Sequence, residues 1–190
     1  FNLNDDNFIF LAKNNKVQAK VDLISDDMTG LKLYTENQDS TMMQDLTLSL
    51  HRLDLGEVTS VLPYLPHITG KLNGDYHIMQ DHDRQISVAS DMAVQKMTYE
   101  GSPIGNISTE FVYLQREDET HAVEGILMQN GREIATLQGN YHNKKVNGGT
   151  EHLDGKLELE HTPLSLINGF IPDQLIGLEG YADGELSVVG

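Results

Sequence analysis

The chain has 190 residues, 13 Lys+Arg against 29 Asp+Glu, a formal net charge of −16 and no Cys. One domain's worth of chain is therefore present, its acidity repels phosphate backbones, and thiol catalysis, thiolate metal sites and disulfides are excluded. Hydrophobic residues make up 38%, enough for a sheet core. The longest clean apolar run, Phe8-Ile9-Phe10-Leu11-Ala12, falls far short of the roughly 20 residues that a membrane-spanning helix needs.

Taken in chain order, the segments alternate. Val17 to Leu23, Leu46 to Leu50, Ile86 to Val88, Ile107 to Tyr113, Ala135 to Leu137 and Leu157 to Leu159 place apolar residues two apart with polar ones between. That period predicts strands wet on one face, so the fold class is all-β. Short polar turns separate the runs: Asn14-Asn15, Ser25-Asp26-Asp27, Asp81-His82-Asp83, Arg116 to Glu119 and Asn130-Gly131. Asn-Gly suits a two-residue type I′ turn, which needs positive φ at both positions, and it predicts a hairpin of strands 121–129 and 132–141.

Two segments have helical spacing instead. Leu55, Val58 and Val61/Leu62 follow Asp54 as cap with Glu57 three residues on, which predicts a helix over 55–62. Leu164, Ile167 and Phe170/Ile171 follow Thr162 as cap and Pro163 at the first helical position, which predicts a second over 164–171. Each ends at a proline, Pro63 or Pro172. Helices this short are unstable alone and are expected to dock their apolar stripes on the sheet.

The two helices belong to an internal repeat, 46–78 against 155–188. At an offset of 109 residues Leu50, Leu55, Val58 and Pro63 fall on Leu159, Leu164, Ile167 and Pro172; at 110, Gly70, Asn73, Gly74 and Ile78 fall on Gly180, Asp183, Gly184 and Val188. The chain is expected to be one continuous β-rich segment, 1–190. It opens without an initiator Met or signal peptide, and Glu185 to Gly190 reads as a strand cut short, so it is expected to be part of a longer protein whose terminal strands offer unpaired edges.

The strand–helix–strand phrase closes on Leu-Pro or Ile-Pro and continues as Gly70-Lys-Leu-Asn-Gly-Asp75 or Gly180-Tyr-Ala-Asp-Gly-Glu185. It resembles the TamB (translocation and assembly module) family, related to the AsmA-like proteins of Gram-negative envelopes. The resemblance is most specific at 46–78 and 153–190, about a third of the chain. It implies an elongated antiparallel sheet curled into an open, taco-like trough with two short amphipathic helices. It further implies the periplasmic part of a protein anchored in the inner membrane. Such a protein conducts phospholipid between inner and outer membranes and assists outer-membrane assembly, with an outer-membrane β-barrel as partner. No catalytic motif, cofactor or metal accompanies it.

Alternation independently gives one apolar face to line such a trough: Leu72, Tyr76, Ile78, Ile86, Val88, Ile107, Phe111, Tyr113, Leu137, Leu157, Leu159, Leu186 and Val188. Gly74 and Gly184 interleave and permit bending, in a trough or equally in a filled sandwich. The competing readings are a structural or adhesive β-module with an ordinary core and, less favoured, a closed barrel for one small ligand.

Other chemistry is sparse. Asp81-His82-Asp83 could hold a cation, but Asp is common in turns because it caps local backbone. His51, His152 and His161 lack zinc spacing. Ser102 has no nucleophile elbow around it, Asn106-Ile-Ser108 falls in a strand, and Asp5-Asp6 and Asp26-Asp27 read as solvated turn charges.

Overall fold

The computed structural model describes residues 6–12, 16–36, 42–61, 65–118, 120–142, 152–164, 166 and 178–190. In chain order the elements are β1 (Phe8–Leu11), β2 (Val17–Ile24), β3 (Gly30–Thr35), β4 (Met42–Asp54), α1 (Leu55–Ser60), β5 (Ile68–Asp81), β6 (Ile86–Tyr99), β7 (Ser102–Gln115), β8 (Thr120–Gln129), β9 (Arg132–His142), β10 (His152–Pro163) and β11 (Tyr181–Val189). Each strand pairs antiparallel with the next, giving one open sheet of order β1 to β11 with β1 and β11 at its edges.

The turns explain the meander. At Asn130 (φ 52°) and Gly131 (φ 79°) the chain makes the expected left-handed turn between β8 and β9. Glu100 (φ 48°) and Gly101 (φ 81°) do the same between β6 and β7. That turn is held from outside, because the Glu100 N–H donates to the His67 carbonyl at 2.8 Å and its carboxylate accepts from the His67 N–H at 2.6 Å. In the turn after β5, Asp81 Oδ1 accepts the Gln85 N–H at 2.9 Å.

Helix α1 begins where expected and is shorter. Asp54 caps it by accepting from the N–H groups of Gly56 (2.9 Å) and Glu57 (3.3 Å), while Lys71 Nζ on β5 reaches the same carboxylate at 2.8 Å. The Lys71 ammonium, followed by the Glu57 N–H, holds the Asp54 carboxyl below the usual range. Thr59 Oγ1 ties the helix to the sheet through the Ile68 carbonyl at 3.1 Å. Leu55 is half-buried, but Val58 and Val61 are 37% and 73% exposed, so the stripe does not dock along its whole length. Six residues make less than two turns, which leaves Val61 at the C-cap and off the docked face. Leu62 and Pro63, and the second expected helix except for Leu164 and Leu166, lie outside the described residues.

A feature not read from the sequence recurs at this same end of the strands. The pairing of β4 with β5 slips between Leu50 and Leu53, and that of β10 with β11 slips between Leu159 and Thr162. Each slip is a bulge at a residue with positive φ, Arg52 (47°) and His161 (46°). A side-chain oxygen of the facing strand accepts the bulged N–H in both cases, from Asn73 at 2.9 Å and from Asp183 at 2.6 Å. Arg52 and His161 are 109 residues apart, Asn73 and Asp183 110, so the bulge follows the repeat. A third copy lies between, where Lys96 (φ 51°) donates its N–H to Asn106 Oδ1 at 2.9 Å.

The molecule has little interior. Its accessible surface is 12686 Å², against roughly 9,000 Å² for a compact monomer of 21.2 kDa. Among the described residues the buried apolar side chains are Ala19, Ile104, Ala122, Ile134 and Ala135, three of them alanines. Close approaches between elements are those of sheet neighbours, with α1 on β5 and a small contact of β2 with β4. The sheet is thus a single layer. Backbone pairing holds it together while most large apolar side chains stay partly open to solvent.

Candidate functional site

Strand register decides which side chains share a face, because residues opposite one another on paired strands point the same way. One row across the sheet runs Leu72, Val94, Ile107, Gln129, Arg132. The next runs Leu31, Leu50, Gly74, Met92, Thr109, Leu127, Ala135, Leu159, Gly184. A third runs Leu33, Leu48, Tyr76, Ser90, Phe111, Gly125, Leu137, Leu157, Leu186, and a fourth Leu46, Ile78, Val88, Tyr113, Val123, Gly139, Gly155, Val188. Ile86 opens a fifth with Gln44 and Gln80, which Gln115, His121, Tyr141 and Leu153 continue.

All thirteen residues singled out from alternation fall in these five rows, on one face. The same face also carries Leu46, Leu48, Leu50, Met92, Val94, Val123 and Leu127. The signal for the first three was present, since Leu46 to Leu50 alternates as cleanly as any segment.

Glycines shape this face. Gly125 stands between Phe111 and Leu137, and Gly139 and Gly155 sit side by side between Val123 and Val188. Around Gly125 opens a concavity of about 540 Å³, whose lining includes Tyr76, Met92, Phe111, Leu127, Leu137 and Leu157. Ile86, Leu137, Leu186 and Val188 are all exposed. No second layer among the described elements covers them.

The opposite face is polar. Asp45 and His77 pair at 2.5 Å, Ser49 hydrogen-bonds Asp75, and Lys156 bridges Glu158 (3.4 Å) and Glu185 (3.1 Å). Those two carboxylates, Glu185 foremost, raise the Lys156 pKa. Asp75, Asp91 and Glu110 stand directly opposite one another on three successive strands, a like-charge row that costs stability and keeps this face wet. Val112 and Leu114 in its middle, and Phe8, Phe10 and Val189 on the edge strands, are exposed apolar exceptions on it.

The remaining candidates are dispersed. Among the described residues no three His, Asp or Glu side chains gather as a cation site requires. His51 lies in β4, His152 packs its ring 6.3 Å from that of His142, and His161 stacks on Tyr181 at 3.7 Å. Ser102 opens β7, which also contains Asn106 and Ser108. No described helix is long and apolar enough to cross a membrane.

No protein-family model matches the chain, and comparison with curated proteins and with solved structures returns no match.

Proposed function

We propose that the chain is a non-enzymatic segment of a TamB-like, AsmA-related conduit of the Gram-negative periplasm that carries phospholipid acyl chains between inner and outer membranes along its apolar face, with an outer-membrane β-barrel as its assembly partner. One observation carries this reading: a single-layer, unclosed sheet presents a continuous apolar face that no described element covers. Water against that face is unfavourable, and an acyl chain laid on it gains about 0.8 kcal/mol for each methylene buried. The three rows from Leu31 to Gly184, Leu33 to Leu186 and Leu46 to Val188 cross the strands without a charged side chain, and Arg132 stands only at the end of the Leu72 row. A chain sliding across them meets similar surface at each step and no strong trap. The polar, acidic opposite face keeps such a molecule dispersed.

The test is Val88→Arg. Val88 lies on the face between Ile78 and Tyr113, half-buried, with Ser87 and Ala89 pointing the other way. On an open face the guanidinium reaches water along its own stem, so the variant folds with a modest loss of stability. Phospholipid binding is expected to fall while the β circular-dichroism signal stays. Unfolding of the variant would favour a filled core and a structural module, because a charge buried there costs several kcal/mol. A folded variant with undiminished lipid binding would remove this face from the path.

A further inference from the structure

The apolar face differs at its two ends. Towards α1 its border row is aliphatic from β5 to β7, with Leu72, Val94 and Ile107, and turns polar only at Gln129 and Arg132 on β8 and β9. Towards the other end of the strands the aliphatic rows give way to Gln115, His121 and Tyr141, with Tyr113 one row inside. These rings form a group. Tyr113 Oη lies 2.7 Å from His121 Nδ1, their rings stack with centroids 5.9 Å apart, and the Tyr141 ring is 6.0 Å from that of His121. In the tautomer in which Tyr113 donates to Nδ1, the imidazole proton is on Nε2 and free to donate outward. Rings with an apolar body and a polar tip suit a boundary between apolar surface and water.

The connections just beyond this border carry both signs of charge. Asp83 and Arg84 lie between β5 and β6, and Arg116 and Asp118 between β7 and β8. Thr120, through its hydroxyl and its N–H, lowers the pKa of Asp118, which keeps that carboxylate ionised.

Building on the acyl-chain reading above, we propose that a bound phospholipid points its headgroup at the Tyr113–His121–Tyr141 border and its chains toward the aliphatic rows, and that the headgroup is zwitterionic. The imidazole N–H of His121 and the hydroxyl of Tyr141 donate to the phosphate. The ammonium is held by the carboxylates of the adjoining connections and by the faces of the tyrosine rings. An anionic headgroup offers nothing to those carboxylates, and a chain of net charge −16 repels it.

The experiment titrates the 190-residue chain with fluorescent phosphatidylethanolamine and phosphatidylglycerol carrying identical acyl chains, and with diphenylhexatriene as a probe of the apolar surface alone. Phosphatidylethanolamine is expected to bind several-fold more tightly than phosphatidylglycerol. The double variant His121→Gln/Tyr141→Phe, checked for an unchanged circular-dichroism spectrum, should lose about tenfold in phosphatidylethanolamine affinity, the loss expected for charge-assisted hydrogen bonds to phosphate. Its diphenylhexatriene binding should be unchanged, and Lys96→Gln at the opposite end should alter neither ligand. Equal or tighter phosphatidylglycerol binding would overturn the headgroup class. An unaffected double variant, or a loss confined to Lys96→Gln, would overturn its position. Failure of the parent chain to bind even diphenylhexatriene would refute the acyl-chain reading itself, and with it this one.

Discussion

Gly74 and Gly184 occupy equivalent places in the repeat, opposite Leu50 and Leu159, yet substitution to alanine should have opposite outcomes. At Gly74 the backbone has φ +150°, and an added Cβ would lie 2.2 Å from the Asp91 carbonyl oxygen and 2.8 Å from the Met92 Cα. Both are backbone atoms of β6 and can give way only if the β5–β6 ladder shifts. Strain in a region that L-residues avoid costs about 1–3 kcal/mol, and overpacking adds roughly as much again. Gly74→Ala should therefore lose about 2–5 kcal/mol, a large part of the stability of an ordinary domain. At Gly184, on edge strand β11, an added Cβ meets nothing within 4 Å. Alanine there restricts the unfolded chain without a native clash, so Gly184→Ala should be neutral or stabilise by up to about 1 kcal/mol. Urea unfolding of both variants beside the parent, with the slope compared to exclude a change of mechanism, measures the difference. A Gly74→Ala midpoint equal to the parent's would refute the close approach of β5 and β6. A loss at Gly184 as large as that at Gly74 would show that β11 is covered in solution.

Further outcomes follow from the bulges and the caps. Asn73→Ala removes the acceptor of the Arg52 N–H, so faster hydrogen exchange at that amide and a loss of about 1 kcal/mol are expected; an unchanged exchange rate would show that the bulge does not depend on Asn73. Asp183→Ala should do the same at His161, and Asn106→Ala at Lys96. The carboxyls of Asp27, Asp54 and Asp118 are held below their ordinary pKa, by Ser25, Lys71 and Thr120 respectively. A depressed native pKa stabilises the fold above the unfolded value near 3.9, and that stabilisation is lost as pH falls through the native value. Asp54→Asn should thus be less stable than the parent at neutral pH, with the gap closing in acid; a gap independent of pH would contradict the ion pair with Lys71.

Alternation made most of the sheet legible. Segments such as Ile107 to Tyr113 carry the period without interruption, and the thirteen residues chosen by it lie on one face because none of their strands slips between them. Asn130-Gly131 located its hairpin because few other pairs accept two positive φ angles. Glu100-Gly101 makes the same turn without such a pair, since Glu100 is fixed by His67, a partner 33 residues away that local sequence does not reveal. The bulges were hidden for a related reason. Arg52 and Lys96 are not residues that favour positive φ, and what holds them there, as it holds His161, is an Asn or Asp on the facing strand. The repeat displayed Asn73 and Asp183 as matching residues, but only the register shows which N–H each one accepts. Strand β3 was missed although Leu31-Lys-Leu33 alternates, because the segment is short and begins at a glycine. The polar border at His121 and Tyr141 was missed although one hairpin joins their strands, because the register shift between Leu127 and Met128 decides which residues stand opposite one another at its far end.

The proposed acyl-chain path lies on one face of a single-layer sheet, and β7 tests it within four consecutive residues. Phe111 and Tyr113 point to the proposed face, Val112 and Leu114 to the other, and Val112 and Leu114 are themselves exposed and apolar. A photo-reactive phenylalanine analogue placed at each position in turn, in the chain exported to the periplasm of a Gram-negative expression strain, is expected to crosslink phospholipid at 111 and 113 and not at 112 or 114. Equal crosslinking at all four, or crosslinking at 112 and 114 alone, would contradict it.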